Sequence, residues 1–226
     1  MAAIAHEVRQ PLMAIVINGS AARRFLVRVP ADIDEATANL NRMINDCRRA
    51  SEVFDSILTL FRPEDQERQA IDVNEIALEV LQSTRGELVE HHVTTRTELA
   101  SELPPISGHR RQLQQVISNL VQNAIETMDY TTDRDRVLWV RTGLYNRDAI
   151  IVAVEDSGPG VDPKQLGSIF DAFFTTKSHG IGLGLAICRM IVERHGGKLT
   201  ATSEGNNGAR FHFVLPTKFS DAAPAN

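Results

Sequence analysis

Asn119 and Asn123 stand one helical turn apart in 112-QLQQVISNLVQNAIETM-128, and Glu126 falls on the same face three residues on. Two stacked carboxamides offer oxygens of the kind that suit Mg²⁺, an ion that shares its coordination shell with substrate phosphates. Further along, 149-AIIVAVEDSGPGVD-162 ends an apolar run in Glu155-Asp156 and turns through Ser157-Gly158-Pro159-Gly160. An aspartate at a strand's end, beside glycines that admit a flat ring, suits recognition of a purine amino group. In 177-KSHGIGLGLAICRMIVERHGG-197, Gly180, Gly182 and Gly184 occupy alternate positions and lead into an amphipathic helix. Glycine lets backbone approach a ligand closely, and the N–H groups of a helix's first turn attract anions. Taken singly these are a solvated asparagine pair, a turn and a flexible loop. Taken in order they compose a magnesium–nucleotide site.

These residues need elements to hold them. Leu113, Val116, Ile117, Leu120, Val121, Ala124, Ile125 and Met128 put one buried face on the helix that carries the asparagines. Near the N-terminus, Ile4, Val8, Leu12, Ile15, Gly19, Ala22 and Leu26 follow a seam of alternating threes and fours. His6 lies roughly 160° from Val8 at helical geometry and so points out of that seam. After the Val29-Pro30 break, Ile33, Ala36, Leu40, Met43, Cys47, Ala50, Phe54, Ile57 and Phe61 repeat the rhythm in a second helix. Two such helices form an α-helical hairpin too thin to bury both faces, so a four-helix bundle on dimerisation is expected. Arg62-Pro63-Glu64-Asp65 stops the second helix. The expected organisation is a hairpin over 1–62, a linker over 63–71, a globular domain over 72–218 and a mobile tail over 219–226.

The order of the asparagine box, the aspartate-glycine box, a phenylalanine box (169-IFDAFFTTK-177) and the glycine box closely resembles the catalytic domain of sensor histidine kinases. That domain belongs to the ATPase superfamily shared with gyrase, a heat-shock chaperone and mismatch-repair proteins. The resemblance covers roughly Asp72 to Pro216 and implies an α/β sandwich ATP-binding domain, with helices over one face of a mixed sheet and a lid over about Val161 to Gly180. It implies that Asn119 and Asn123 hold Mg²⁺, that Asp156 reads adenine, and that Gly158 and Gly160 shape its pocket. Gly180, Gly182 and Gly184 would face the phosphates, and Phe170, Phe173 and Phe174 would form the aromatic hinge of the lid. Lys177 fits a phosphate contact by charge and position; Thr176 and Leu183 complete the set of nucleotide-binding candidates. Ala172 and His109 depart from the family pattern, where proline and aspartate are frequent, but neither is a proposed ligand.

The run 5-AHEVRQPLMAI-15 resembles the phospho-acceptor box of the same family, with His6 as acceptor. An unperturbed imidazole has a pKa of about 6.5, so near neutral pH much of it is a free nucleophile. Attack through one ring nitrogen leaves a proton on the other, which Glu7 is placed to accept. Pro11 lacks the N–H that would bond the Glu7 carbonyl, so a kink is expected beside the acceptor. Gln10 shares the face of His6; phosphatase-active relatives commonly carry Asn or Thr there to orient a water. Met13, Ile17, Ser20 and Arg24 extend that face into a surface suited to a response-regulator receiver domain, the partner that the resemblance implies. The hydrolytic branches of the superfamily place a glutamate base where this chain has Asn119, which points phosphate toward His6 rather than water. The competing readings are an ATPase or clamp without a phosphoenzyme, and a nucleotide-binding dimeric scaffold.

The 226 residues carry a net charge of −5 and no strongly basic tract, which gives nucleic-acid binding no support. Cys47 and Cys188 lack metal-like spacing and read as reduced structural cysteines, consistent with a cytoplasmic compartment. No long apolar segment provides a membrane contact, although a longer parent protein is free to be membrane-bound. His6 follows Met1 by only five residues. A fragment of a longer kinase is therefore expected, with a missing or separate sensor module and a dimer weakened by the absent upper turns.

Overall fold

The computed structural model describes residues 2–61, 68–131, 133–177, 182–203 and 208–217; the side chains of residues 2–11, 48–49 and 51–61 lie outside what it describes. The chain divides into two units, Met1–Pro63 and Glu64–Asn226.

The first unit is a hairpin of α1 (Ala2–Leu26) and α2 (Ile33–Phe61). Helix α1 runs through Pro11 without interruption of its helical assignment. Ala22, Ala36 and Ala50 are buried, and a Cβ on Gly19 would sit 3.1 Å from Met43 Sδ, so small residues let the helices approach closely. Five expected seam positions are displaced. Leu12, Leu26, Ile33, Leu40 and Cys47 are exposed within the single hairpin, whereas the polar Asn39 and Asp46 are buried. The reason is satisfaction of those polar groups inside the unit: Asn18 Nδ2 donates to Asp46 Oδ2 at 2.8 Å, and Asn39 Nδ2 donates to the Glu35 carbonyl at 2.7 Å. Val16, Ile17 and Ile44 are exposed as well.

The second unit is a layered α/β sandwich. Its mixed five-stranded sheet has the order β2 (Val93–Leu99), β4 (Arg136–Asn146), β5 (Ala149–Asp156), β7 (Ala209–Pro216), β6 (Lys198–Ser203). The β2–β4 pair is parallel and the other pairs are antiparallel. Strand β1 (Gln69–Ile71), in the stretch expected as linker, pairs antiparallel with β3 (Ile106–Gly108), and Ile71 and Ile106 both enter the core. Helix α5 (Arg110–Met128) lies between α3 (Val73–Ser83) and α6 (Gly184–Arg194) against the sheet, while the short α4 (Arg85–Glu90) adjoins β2. All eight apolar positions read from the sequence of α5 are buried. Alternation on β7 is equally plain: Ala209, Phe211, Phe213 and Leu215 are buried, while Arg210 is exposed and His212 and Val214 are half-buried.

Polar ties fix α5 to its neighbours. At its start the His109 backbone N–H donates to His195 Nε2 at 3.0 Å, while His195 Nδ1 lies 2.7 Å from the Ile191 carbonyl. A carbonyl only accepts, so Nδ1 carries the proton and Nε2 is the acceptor. At its end Arg136 Nη1 donates to Asp129 Oδ1 and to the His91 carbonyl, both at 2.9 Å. The helix bearing both asparagines is therefore anchored at each end.

Candidate functional site

Helix α5 brings Asn119 and Asn123, both half-buried, to one edge of the layer. Asn119 hydrogen-bonds the thiol of Cys188 on α6, and Cys188 Sγ lies 3.8 Å from the Val116 carbonyl. Complete burial pushes the Cys188 thiol up to about 12, with the Asn119 bond opposing the shift. It is a neutral packing group behind the asparagine. Lys177 Nζ donates to Asn123 Oδ1 at 2.8 Å and to Glu126 Oε2 at 2.6 Å.

Asp156 closes β5 and is only 2% exposed. Its carboxyl is pushed up to about 6, first by burial and then by the charge of Glu155; N–H donors from Gly158 and Ala209 and the Lys177 charge pull the other way. Gly158 N–H donates to Asp156 Oδ1 at 2.8 Å. A Cβ on Gly158 would stand 2.7 Å from that oxygen and 3.3 Å from Thr127 Cγ2, so only glycine lets the backbone come this close to the carboxylate. Ser157 is tied to the start of β4: its Oγ accepts from Val137 N–H and donates to the Asp135 carbonyl, each at 2.8 Å. Gly160 has φ 78° in the same turn.

The segment after this turn is pinned at its base. Phe170 is buried edge-on to Phe211, with ring centroids 6.4 Å apart. Phe173 N–H donates to the Gly182 carbonyl at 2.9 Å, and the two residues have φ 70° and 68°. A Cβ on Gly182 would lie 2.5 Å from the Phe174 carbonyl oxygen, which excludes any side chain there. Of the expected aromatic hinge, Phe170 is core, whereas Phe173 is 39% exposed. Thr176 is exposed and Lys177 half-buried. Leu183 buries its side chain at the N-cap of α6 and makes no side-chain capping bond, so it offers a ligand backbone alone. A Cβ on Gly184 would meet no atom within 4 Å. Gly180 and the side chains of His6, Glu7 and Gln10 lie outside the described residues; the backbone of the latter three is helical in α1.

The second unit thus brings together Asn119, Asn123, Asp156, Gly158 and Lys177, with Gly182 and the first turn of α6 on the strap that follows. Sequence reading missed three contacts. Lys177 reaches Glu126, a residue noted only for its place on the α5 face. Cys188 backs Asn119. Gly208, at φ 87°, packs its Cα against the Asp156 backbone so closely that no Cβ fits.

Residues 1–66 match the family described as the His Kinase A (phospho-acceptor) domain. Residues 108–218 match the family described as histidine kinase-, DNA gyrase B-, and HSP90-like ATPase. The catalytic domain of histidine kinase ThkA, nucleotide-free, is 31% identical with a TM-score of 0.60, and the alignment covers 67% of this chain and 99% of that one. The chain belongs to the sensor histidine kinase family. Its curated relatives include the sensor histidine kinase TmoS of Ectopseudomonas mendocina, 35% identical over 94% of this chain and 22% of the relative. The sensor histidine kinase ZraS of Klebsiella oxytoca is 34% identical over 95% of this chain and 45% of the relative. The chain thus spans less than half the length of these sensor kinases. ThkA in complex with the response regulator protein TrrA aligns over 96% of this chain and 60% of that one, at 28% identity and a TM-score of 0.75. Membership of the ATPase family implies ATP as the nucleotide. Among the described residues, no helix is long and apolar enough to cross a membrane.

Proposed function

We propose that this chain is the catalytic core of a two-component sensor kinase, which uses Mg²⁺-ATP to phosphorylate His6 and passes the phosphoryl group to an aspartate of a response-regulator receiver domain. The observation that carries the proposal is the buried Asp156 beside a glycine-lined wall, on the same unit as the asparagine pair, downstream of a phospho-acceptor helix. The donor set fits the metal: two neutral carboxamide oxygens suit a hard dication that arrives with phosphates. Asn119 lies against the neutral Cys188 thiol, which backs its amide. When bound, Mg²⁺ neutralises charge on the phosphates.

The chain's own residues do the rest. Asp156, ionised, accepts from the adenine amino group. The uncapped first turn of α6, with no acidic residue, offers N–H groups to the phosphates. His6 attacks the γ-phosphorus through one ring nitrogen while the bond to the β,γ-bridging oxygen breaks and ADP leaves with the electron pair. The proton on the other ring nitrogen passes to Glu7. Phosphoryl transfer asks mainly for position and charge neutralisation, so no further base is required.

The exposed apolar side of the hairpin supports homodimerisation into a four-helix bundle. Met13 and Ile17, both more than half exposed, support receiver docking on the His6 side of α1. Gln10 is assigned to dephosphorylation of the partner, and the core to the cytoplasm. Incubation with Mg²⁺ and γ-labelled ATP, alongside His6→Gln and Asn123→Ala, tests the reading. An acid-labile, base-stable label absent from both variants is expected, and it should move to a receiver domain. Phosphate release without a phosphoenzyme would make the chain an ATPase. Binding without either would leave a scaffold.

A further inference from the structure

Lys177 occupies two acceptors on α5 at once, Asn123 Oδ1 at 2.8 Å and Glu126 Oε2 at 2.6 Å. Asn123 Oδ1 is also the oxygen assigned to the metal, an assignment that rests on the proposed function. Mg²⁺ sits 2.0–2.1 Å from its oxygen ligands, so an ammonium on the same oxygen would face a dication at close range. Both cannot hold Oδ1 together. Glu126 lies three residues after Asn123, one turn along the same helix face, and its carboxylate supplies the charge that draws the ammonium there. The position of Lys177 has support from its own side as well. Its backbone N–H donates to Thr175 Oγ1 at 3.1 Å, and the segment starts from the base fixed by Phe173, Gly182 and Phe170.

We propose that Glu126 is the positioning residue for Lys177, and that in the nucleotide-free protein the Lys177 ammonium stands in for the metal on Asn123. Arrival of Mg²⁺-ATP exchanges the two cations: the metal takes Asn123 Oδ1, and Lys177 leaves Glu126 for the phosphates. The tether therefore holds residues 171–177 over α5 before nucleotide arrives and delivers the lysine at the moment its negative partner appears. It also sets a threshold, because the metal must displace a bound ammonium.

The test uses the whole chain in two measurements. Deuterium exchange of the amides of 161–177 is followed without nucleotide or divalent metal. Glu126→Gln and Lys177→Met are each expected to speed it about two- to fivefold, the range that a partly exposed ion pair supports. The double variant should go no further, and the charge swap Glu126→Lys with Lys177→Glu should return exchange to within about twofold of the parent. Amides of β5 and β7 serve as the internal reference for an intact fold. Second, the Mg²⁺ concentration that half-saturates binding of a fluorescent ATP analogue should fall about two- to fivefold in Glu126→Gln, which loosens the ammonium on Asn123 and leaves Lys177 free to meet the phosphates. Unchanged exchange in both single variants overturns the tether, and an unchanged Mg²⁺ requirement overturns the cation exchange. The first readout needs neither nucleotide nor phosphoenzyme. Failure of the kinase reading would appear separately, as absence of label on His6 with the tether intact.

Discussion

Replacing Asp156 by Asn separates the carboxylate's cost to the fold from its use to the ligand. Burial raises Asp156 from 3.8 to about 6. For an acid, a folded pKa above the unfolded one means that the fold prefers the protonated form. The contribution to stability is full below about pH 3.8 and is lost as pH rises through about 6. The displacement corresponds to about 3 kcal/mol against the fold at pH 8, of which about half is recovered at pH 5. Asparagine is neutral throughout and can still accept from Gly158 N–H. Denaturant unfolding of Asp156→Asn and the parent is therefore expected to show a variant advantage that grows by about 1.5 kcal/mol between pH 5 and pH 8. Taking the difference between the two proteins cancels other titrations, including that of His212, which burial and then the charge of Arg210 hold below its usual value. Nucleotide affinity should run the opposite way. In the parent it weakens as Asp156 takes up a proton below about pH 6, whereas in the variant it is poor and flat. A stability difference that stays constant from pH 5 to pH 8 would refute burial as the cause.

Three further outcomes are expected. Gly158→Ala drives a methyl toward Asp156 Oδ1 and should weaken nucleotide binding at least tenfold in equilibrium dialysis, with little change in the far-ultraviolet spectrum. In a Cys47→Ser background the native chain should leave Cys188 unlabelled by a thiol reagent until denaturant is added, because burial holds that thiol up at about 12. Asn18→Ala removes the donor to Asp46 inside the hairpin and should cost about 1.5–3 kcal/mol in hairpin stability, read from the unfolding midpoint.

The face of α5 was legible from the sequence because all eight of its apolar residues are buried, and an undiluted stripe has one reading. The place of Asp156 was equally plain, since an apolar run that stops at Glu-Asp before Ser-Gly-Pro-Gly reads as a strand meeting a turn. The seam of α2 was only partly legible. Periodicity ranks Leu40 above Asn39 for burial, and it cannot see that Asn39 satisfies its amide on Glu35 while Leu40 faces outward. Strand β1 escaped because three residues carry too little pattern to stand out from a charged linker. Lys177 was marked for phosphate by charge and position; its grip on Glu126 joins residues 51 positions apart and depends on tertiary geometry. The Cys188–Asn119 contact was hidden in the same way, by two helices distant in sequence.

The bond between Asn18 and Asp46 has a mechanical consequence for any stimulus that reaches the hairpin. Slippage of α1 along α2 by a full turn is about 5.4 Å, enough to draw a 2.8 Å contact beyond hydrogen-bonding range. It would also move Gly19 away from Met43, whose Sδ leaves little room for a side chain at that position. Full-turn strokes of one helix past the other are therefore opposed. A shorter push on α1 pulls α2 along with it through the same bond.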